Sequence, residues 1–134
     1  MAISIDGVIG FPAQVVKLRE KRTELLAGNL ANADTPGYKA RDFDFKQAMA
    51  QVQSPAAAQP SKMTVTHAKH IAPDDGGLGA ELMYRTPLQP SIDGNTVDPH
   101  IEKAKFTENA MRQQASLTFL NSKIKGMTRA IRGE

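Results

Sequence analysis

After Pro99 this sequence contains no further proline up to Arg132 and a single glycine, Gly126. Asp98 stands as an N-cap with Pro99 at the first helical position. A carboxylate there accepts from orphan backbone N–H groups, and proline loses nothing by lacking one. Downstream, Phe106, Ala110, Gln113, Leu117, Leu120, Ile124, Met127 and Ile131 recur at alternating steps of four and three residues. That is a heptad seam rather than the wide apolar face of a globular helix. At ~1.5 Å per residue, such a helix is a rod of about 50 Å. Some sixty irregular residues cannot bury it, so the segment 98–134 is expected to pack on an N-terminal helix, on other subunits, or on both. Gln113 interrupts the seam; it either sets register at a cost in stability or lies on a solvated edge.

The N-terminal segment 1–33 supplies the candidate partner, a helix from about Phe11 or Pro12 to Ala33. Phe11, Val15, Leu18, Leu25, Leu26, Leu30 and Ala33 recur at helical spacing, while Lys17, Glu20, Lys21 and Glu24 fall largely elsewhere. Gly28 weakens the last turns by about 1 kcal/mol relative to Ala, unless it admits a close neighbour. At about 23 residues this helix covers roughly two-thirds of the longer one. Two arrangements stay open: a helical hairpin closed by the middle of the chain, or a seam that is itself an assembly surface.

The middle, 34–97, is expected to be irregular with short β elements. Phe43 and Phe45 alternate with Asp42 and Asp44, a half-buried strand pattern. Residues 49–62, with their Ala/Gln/Pro/Ser-rich run, read as a flexible loop. Met63–Thr66 reads as a brief strand, and the Gly-rich run after Asp74 and Asp93-Gly94-Asn95 read as turns. Pro87 and Pro90 argue against a central strand between them. The fold class is therefore mainly α, with long terminal helices pairing as a coiled coil around an irregular, short-β middle.

Composition narrows the chemistry. The 134 residues include no Cys and no Trp; 5% are aromatic, and much of the 40% that is hydrophobic is Ala, which buries little area. A lone monomer is expected to be poorly stabilised. A net charge of +3 without a clustered basic face interleaved with aromatics argues against nucleic-acid binding. Disulfides, thiol catalysis and cysteine metal sites are excluded. His67 and His70, three apart with Asp74 and Asp75 close behind, have ligand-like spacing but no helix to fix it, so no metal is expected. Asp42 and Asp44 read as a solvated face rather than a catalytic carboxylate pair. Gly76-Gly77-Leu78-Gly79 lacks the Lys-Ser/Thr and following helix of a phosphate loop. No catalytic residues and no cofactor are expected, and the chain is read as a non-enzyme. Its start lacks a basic n-region and carries Asp6 in place of an apolar run, and no stretch is long enough for a membrane helix. Neither a cleaved signal peptide nor direct membrane insertion is expected.

The most specific string is Asn29-Leu30-Ala31-Asn32-Ala33-Asp34-Thr35-Pro36-Gly37-Tyr38-Lys39-Ala40. Pro36 fixes φ for the second position of a turn, and Gly37 permits the positive φ that a type II turn needs next. Pro36 also drives Thr35 out of the α region, stopping the helix by about Asp34. Followed by Arg41-Asp42-Phe43, this string resembles the shared N-terminal motif of the bacterial flagellar axial proteins, the rod, hook and hook-associated subunits. Asp93-Gly94-Asn95-Thr96-Val97-Asp98 and the stretches Asn109–Ala115 and Lys123–Gly133 are similar to the C-terminal part of the family's short proximal-rod members. The resemblance leaves only about Met49–Leu88 unsupported.

It implies a structural subunit of the proximal rod of the basal body, exported through the flagellum's own type III apparatus. Such subunits stack helically around a central channel and transmit torque. Implied partners are other copies of the chain, other flagellar rod proteins, and rod-base adaptor, export-gate and basal-ring proteins. The residues expected at subunit interfaces are Leu117, Leu120, Ile124, Met127 and Ile131, faced by Val15, Leu18, Leu25 and Leu30. Asn32, Thr35, Pro36, Gly37 and Tyr38 would form a conformational elbow. A helical adaptor or secretion chaperone with a coiled-coil partner is the rival reading; it explains the seam but not the Asn-Thr-Pro-Gly-Tyr string.

Overall fold

A computed structural model of the chain describes residues 5–53, 67 and 81–133. In chain order the elements are α1 (Ile5–Ala31), β1 (Arg41–Asp42), α2 (Phe45–Gln53), β2 (Met83–Tyr84) and α3 (Pro99–Arg132). The molecule is mainly helical, with long helices at both ends. The expected strand at Met63–Thr66, the turn after Asp74, and His70 lie outside the described residues, as does the loop beyond Gln53. Among the described residues, no helix is long and apolar enough to cross a membrane.

The start of α3 follows the sequence. Asp98 accepts from the backbone N–H groups of His100 and Ile101, Pro99 occupies the first turn, and Gly133 closes the far end in the left-handed conformation. α1 departs from expectation by starting upstream of Phe11, so that Pro12 lies inside the helix. Proline there removes one intrahelical hydrogen bond. The turns before it nevertheless persist, with Val8, Ile9 and Gly10 half-buried.

α1 and α3 pack antiparallel. Arg19 of α1 bonds Ser116 and Asn109 of α3, and ten residues further along α1 Asn29 bonds Glu102. As the chain ascends α1, its partners descend α3.

The alternation Asp42–Phe45 does not make the expected strand. Only Arg41 and Asp42 are extended, paired antiparallel with Tyr84 and Met83. Asp44 instead caps α2, its Oδ1 accepting from the backbone N–H groups of Lys46 (2.8 Å) and Gln47 (3.1 Å). Phe45, Ala48, Met49 and Val52 then fall at helical spacing on one face, which outweighs the two-step alternation. Residues 49–53, expected in the loop, form the rest of this helix.

The core lies between α1 and α2. Leu18, Phe43 and Ala48 are buried together, with Leu25, Phe45, Met49 and Val52 packed partly against them. Phe43 and Phe45 stack with ring centroids 6.4 Å apart, and the Arg19 guanidinium sits 4.2 Å from the centre of the Phe45 ring.

Candidate functional site

The elbow is a type II turn from Thr35 to Tyr38. Tyr38 N–H donates to the Thr35 carbonyl at 3.3 Å, and Gly37 adopts φ +72°. Asn32 ties the turn to the helix: its side-chain amide donates to the Gly28 carbonyl (2.8 Å), and its Oδ1 accepts from the Thr35 hydroxyl (3.2 Å). Pro36 and Gly37 are exposed and Tyr38 is half-buried. Among the described residues, a Cβ at Gly28 would meet nothing within 4 Å, so none of them makes a close approach there.

The turn is held from a segment that sequence reasoning marks only as another turn. The buried Asn95 side-chain amide donates to three carbonyls of the elbow, Asn32 (3.1 Å), Ala33 (2.7 Å) and Thr35 (3.0 Å). Its Oδ1 accepts from Val97 N–H at 2.8 Å, which fixes the orientation of the amide. Around it, Gly37 N–H donates to the Asp93 carbonyl (2.9 Å) and Thr96 N–H to the Tyr38 carbonyl (3.0 Å). Ala40 N–H donates to the Thr96 hydroxyl at 2.7 Å, and Lys39 Nζ reaches the Gly94 carbonyl at 2.6 Å. Segments 32–38 and 93–97 thus interlock into one hub. The run Asp93-Gly94-Asn95 is the available signal, but nothing local reveals that Asn95 reaches across the chain.

A second cluster fastens the middle to both helices. Asp42, read from sequence as a solvated carboxylate, is instead half-buried. It accepts from Arg22 through both oxygens (3.2 and 3.1 Å) and from Arg85 at 2.7 Å. Burial alone would raise the Asp42 carboxyl, but the hydrogen bonds and charge of Arg22, with Arg85, hold it below the ordinary carboxylate value. Arg85 also pairs with Glu102, whose side chain is only 1% exposed. Asn29 joins from α1: its amide donates to the Arg41 carbonyl (2.8 Å) and to Glu102 (3.2 Å), and its Oδ1 accepts from Arg41 N–H (3.0 Å). Lys105 lies beside this cluster; burial first, then the charge of Arg85, lower its ammonium pKa.

Between the helices the contact is also polar. Asn109, buried, donates to the Arg19 carbonyl (3.0 Å) and the Thr23 hydroxyl (2.9 Å). Gln113 accepts from Thr23 at 3.3 Å, so this interruption of the seam faces α1 rather than solvent. The buried residues of α3 are Glu102 and Asn109; no apolar side chain of this long helix is fully buried.

The nine expected interface residues therefore divide. Leu18 is 0% exposed inside the chain's own core and has no area left for a neighbouring subunit. Leu25 packs at the edge of the same core, to which α2, a helix absent from the sequence reading, contributes Ala48. Val15 and Leu30 are half-buried on α1, as are Leu117, Leu120 and Met127 on α3. Ile124 is 41% and Ile131 79% exposed. Spacing marks the apolar positions of α1 but cannot tell which of two neighbours each will meet.

Residues 17–39, which run from α1 through the elbow, match the family model described as flagella basal body rod protein. Over its full length the chain is similar to the flagellar basal body rod protein FlgB of Aeromonas hydrophila, 44% identical over 135 residues, covering 100% of this chain and 99% of that protein. The Cereibacter sphaeroides FlgB is 44% identical over 94% of each chain. That of Salmonella typhimurium is 40% identical over 96% of each. The chain belongs to the FlgB family of flagellar basal body rod proteins.

Proposed function

We propose that this chain is a structural subunit of the proximal flagellar rod that assembles helically through α1 and α3, lining the export channel and transmitting torque. Its role is mechanical, and it carries out no catalysis. The observation that carries this reading is the imbalance of α3. A helix of 34 residues, about 50 Å long, fully buries no apolar side chain, while its seam continues through Leu117, Leu120, Ile124, Met127 and Ile131. Fully covering an exposed large apolar side chain is worth about 1.5–3 kcal/mol, a gain that a neighbouring subunit would supply along this seam. Copies of the chain and other rod proteins are the partners along the rod, with rod-base adaptor, export-gate and basal-ring proteins at its foot. The small core suits passage through the type III apparatus in an unfolded state.

The chain has no native cysteine, so Ile124→Cys and Ile131→Cys place unique thiols on the seam. In purified basal bodies they should give cross-linked adducts with rod subunits, whereas Ala130→Cys, exposed and about a quarter-turn off the seam, should not. Absence of seam adducts in intact rods would refute the assignment of this face.

A further inference from the structure

The last ten residues of α3 carry Lys123, Lys125, Arg129 and Arg132 and no acid. All four are exposed, and among the described residues none makes an ion pair. The helix dipole accounts for part of this charge, because cations in a last turn face its negative end. The effect fades within that turn, which holds only Arg129 and Arg132. Lys123 and Lys125 lie beyond it and need another reason.

Lys125, Arg129 and Arg132 stand four and three residues apart, so they share one side of the helix. Together with Thr128 they flank a single shallow surface groove. By helical phase this side lies away from the one that meets α1, which runs through Glu102, Asn109, Gln113 and Ser116. The phase of that inner side continues through Leu120, Ile124, Met127 and Ile131. The end of α3 therefore has two separate faces, an apolar seam and a cationic stripe.

We propose that the stripe Lys125–Arg129–Arg132 docks on an acidic surface of a different protein in the basal body. This rests on the rod-subunit reading above. Charge favours a foreign partner over a second copy. Among the described residues the exposed acids of α1 and α3 include one pair a turn apart, Glu20 and Glu24, and several are engaged: Glu24 with Lys21, Glu108 with Arg112, Asp44 and Asp98 at helix starts. None forms a patch to match three aligned cations. A protein partner is favoured over an anionic membrane because the neighbouring apolar residues form only a narrow heptad seam and carry no aromatic anchor below Phe119.

The test uses the full chain expressed in place of the native gene. Lys125→Glu lies outside the last turn, so reversing it barely disturbs the helix dipole. Combined with Arg129→Glu, it should reduce swarming roughly tenfold or more, since like charges at a complementary contact repel strongly. Lys125→Arg with Arg129→Lys should swarm normally. A photo-reactive phenylalanine at Thr128 should cross-link to an Asp/Glu-rich segment of another basal-body protein, and reversing those acids to Lys should restore swarming of the double Glu variant. Normal swarming of that variant would overturn the proposal, as would adducts only with other copies of this chain or only with lipid. Deletion of the gene in the same strain separates the two readings: loss of the rod on deletion, with normal swarming of the double Glu variant, rejects the stripe alone.

Discussion

The side-chain amide of Asn95 lies 2.7 Å from the carbonyl of Ala33, across 62 residues of chain. Two more carbonyls at the end of α1 share the same amide. One residue thereby sets the direction in which the chain leaves the first long helix, and it stands three positions before the N-cap of the second. The geometry between the helices and the middle of the subunit is fixed from this point.

Replacing Asn95 by Ala leaves those carbonyls without their donor, at a cost of about 1–3 kcal/mol of local stability. Lys39 and Arg41 follow the elbow directly, so tryptic cleavage after them reports its opening. Cleavage should accelerate roughly 5- to 150-fold in Asn95→Ala if it tracks the opening equilibrium. Asn95→Asp should be worse, because it aims carboxylate oxygens at carbonyl oxygens.

Gly37 has φ +72°, and among the described residues nothing beyond its chain neighbours lies within 4 Å of where a Cβ would stand, so strain rather than collision opposes a side chain there. Gly37→Val should cost about 1–3 kcal/mol and impair incorporation into rods more than synthesis of the protein. Immunoblots of whole cells against purified basal bodies measure the ratio. Equal incorporation would remove Gly37 from the elbow's essential residues.

Arg85 bridges Asp42 and the buried Glu102. Arg85→Ala strands a buried carboxylate and should destabilise the hub by about 3–5 kcal/mol, whereas Arg85→Leu with Glu102→Leu should recover much of the loss. The chain has no Trp and only two tyrosines, Tyr38 in the elbow and Tyr84 on β2 beside Arg85, so tyrosine fluorescence during urea unfolding reports this region selectively.

The same probe reads pH dependence. The folded-state pKa of Asp42 is depressed, so its contribution is present above the unfolded value near 3.9 and is lost as pH falls through the folded value. The urea midpoint should drop as pH is lowered below about 4, and Asp42→Asn should flatten that part of the profile. An unchanged slope in Asp42→Asn would assign the acid sensitivity to another carboxylate.

Outside the rod, the chain should show less helix by circular dichroism than its three helices imply, because the far turns of α3 lack apolar cover. A compact monomer with full helix content and one cooperative melt would contradict this.

What is legible in the sequence follows from the range of each interaction. The Asp98–Pro99 start and the Thr35–Tyr38 turn are set by residues within a few positions, and both appear as expected. The start of α1 misleads because Pro12 fits a first helical turn, yet the helix tolerates it inside. α2 is hidden by the alternation of Asp42–Phe45; the cap at Asp44 and the spacing Phe45–Ala48–Met49–Val52 are the stronger signals. Without α2, the core that encloses Leu18 and has Leu25 at its edge is invisible to the spacing of α1 alone. Asp42 and Asn95 look like surface and turn residues because their partners lie 20 to 63 residues away, beyond any local pattern.

The most direct test of the central claim is electron microscopy of basal bodies purified from cells lacking this gene, beside a complemented strain. A structural subunit of the proximal rod predicts that rod and hook are lost while the membrane ring remains, and that complementation restores both. Intact rods and hooks in the deletion strain would contradict it.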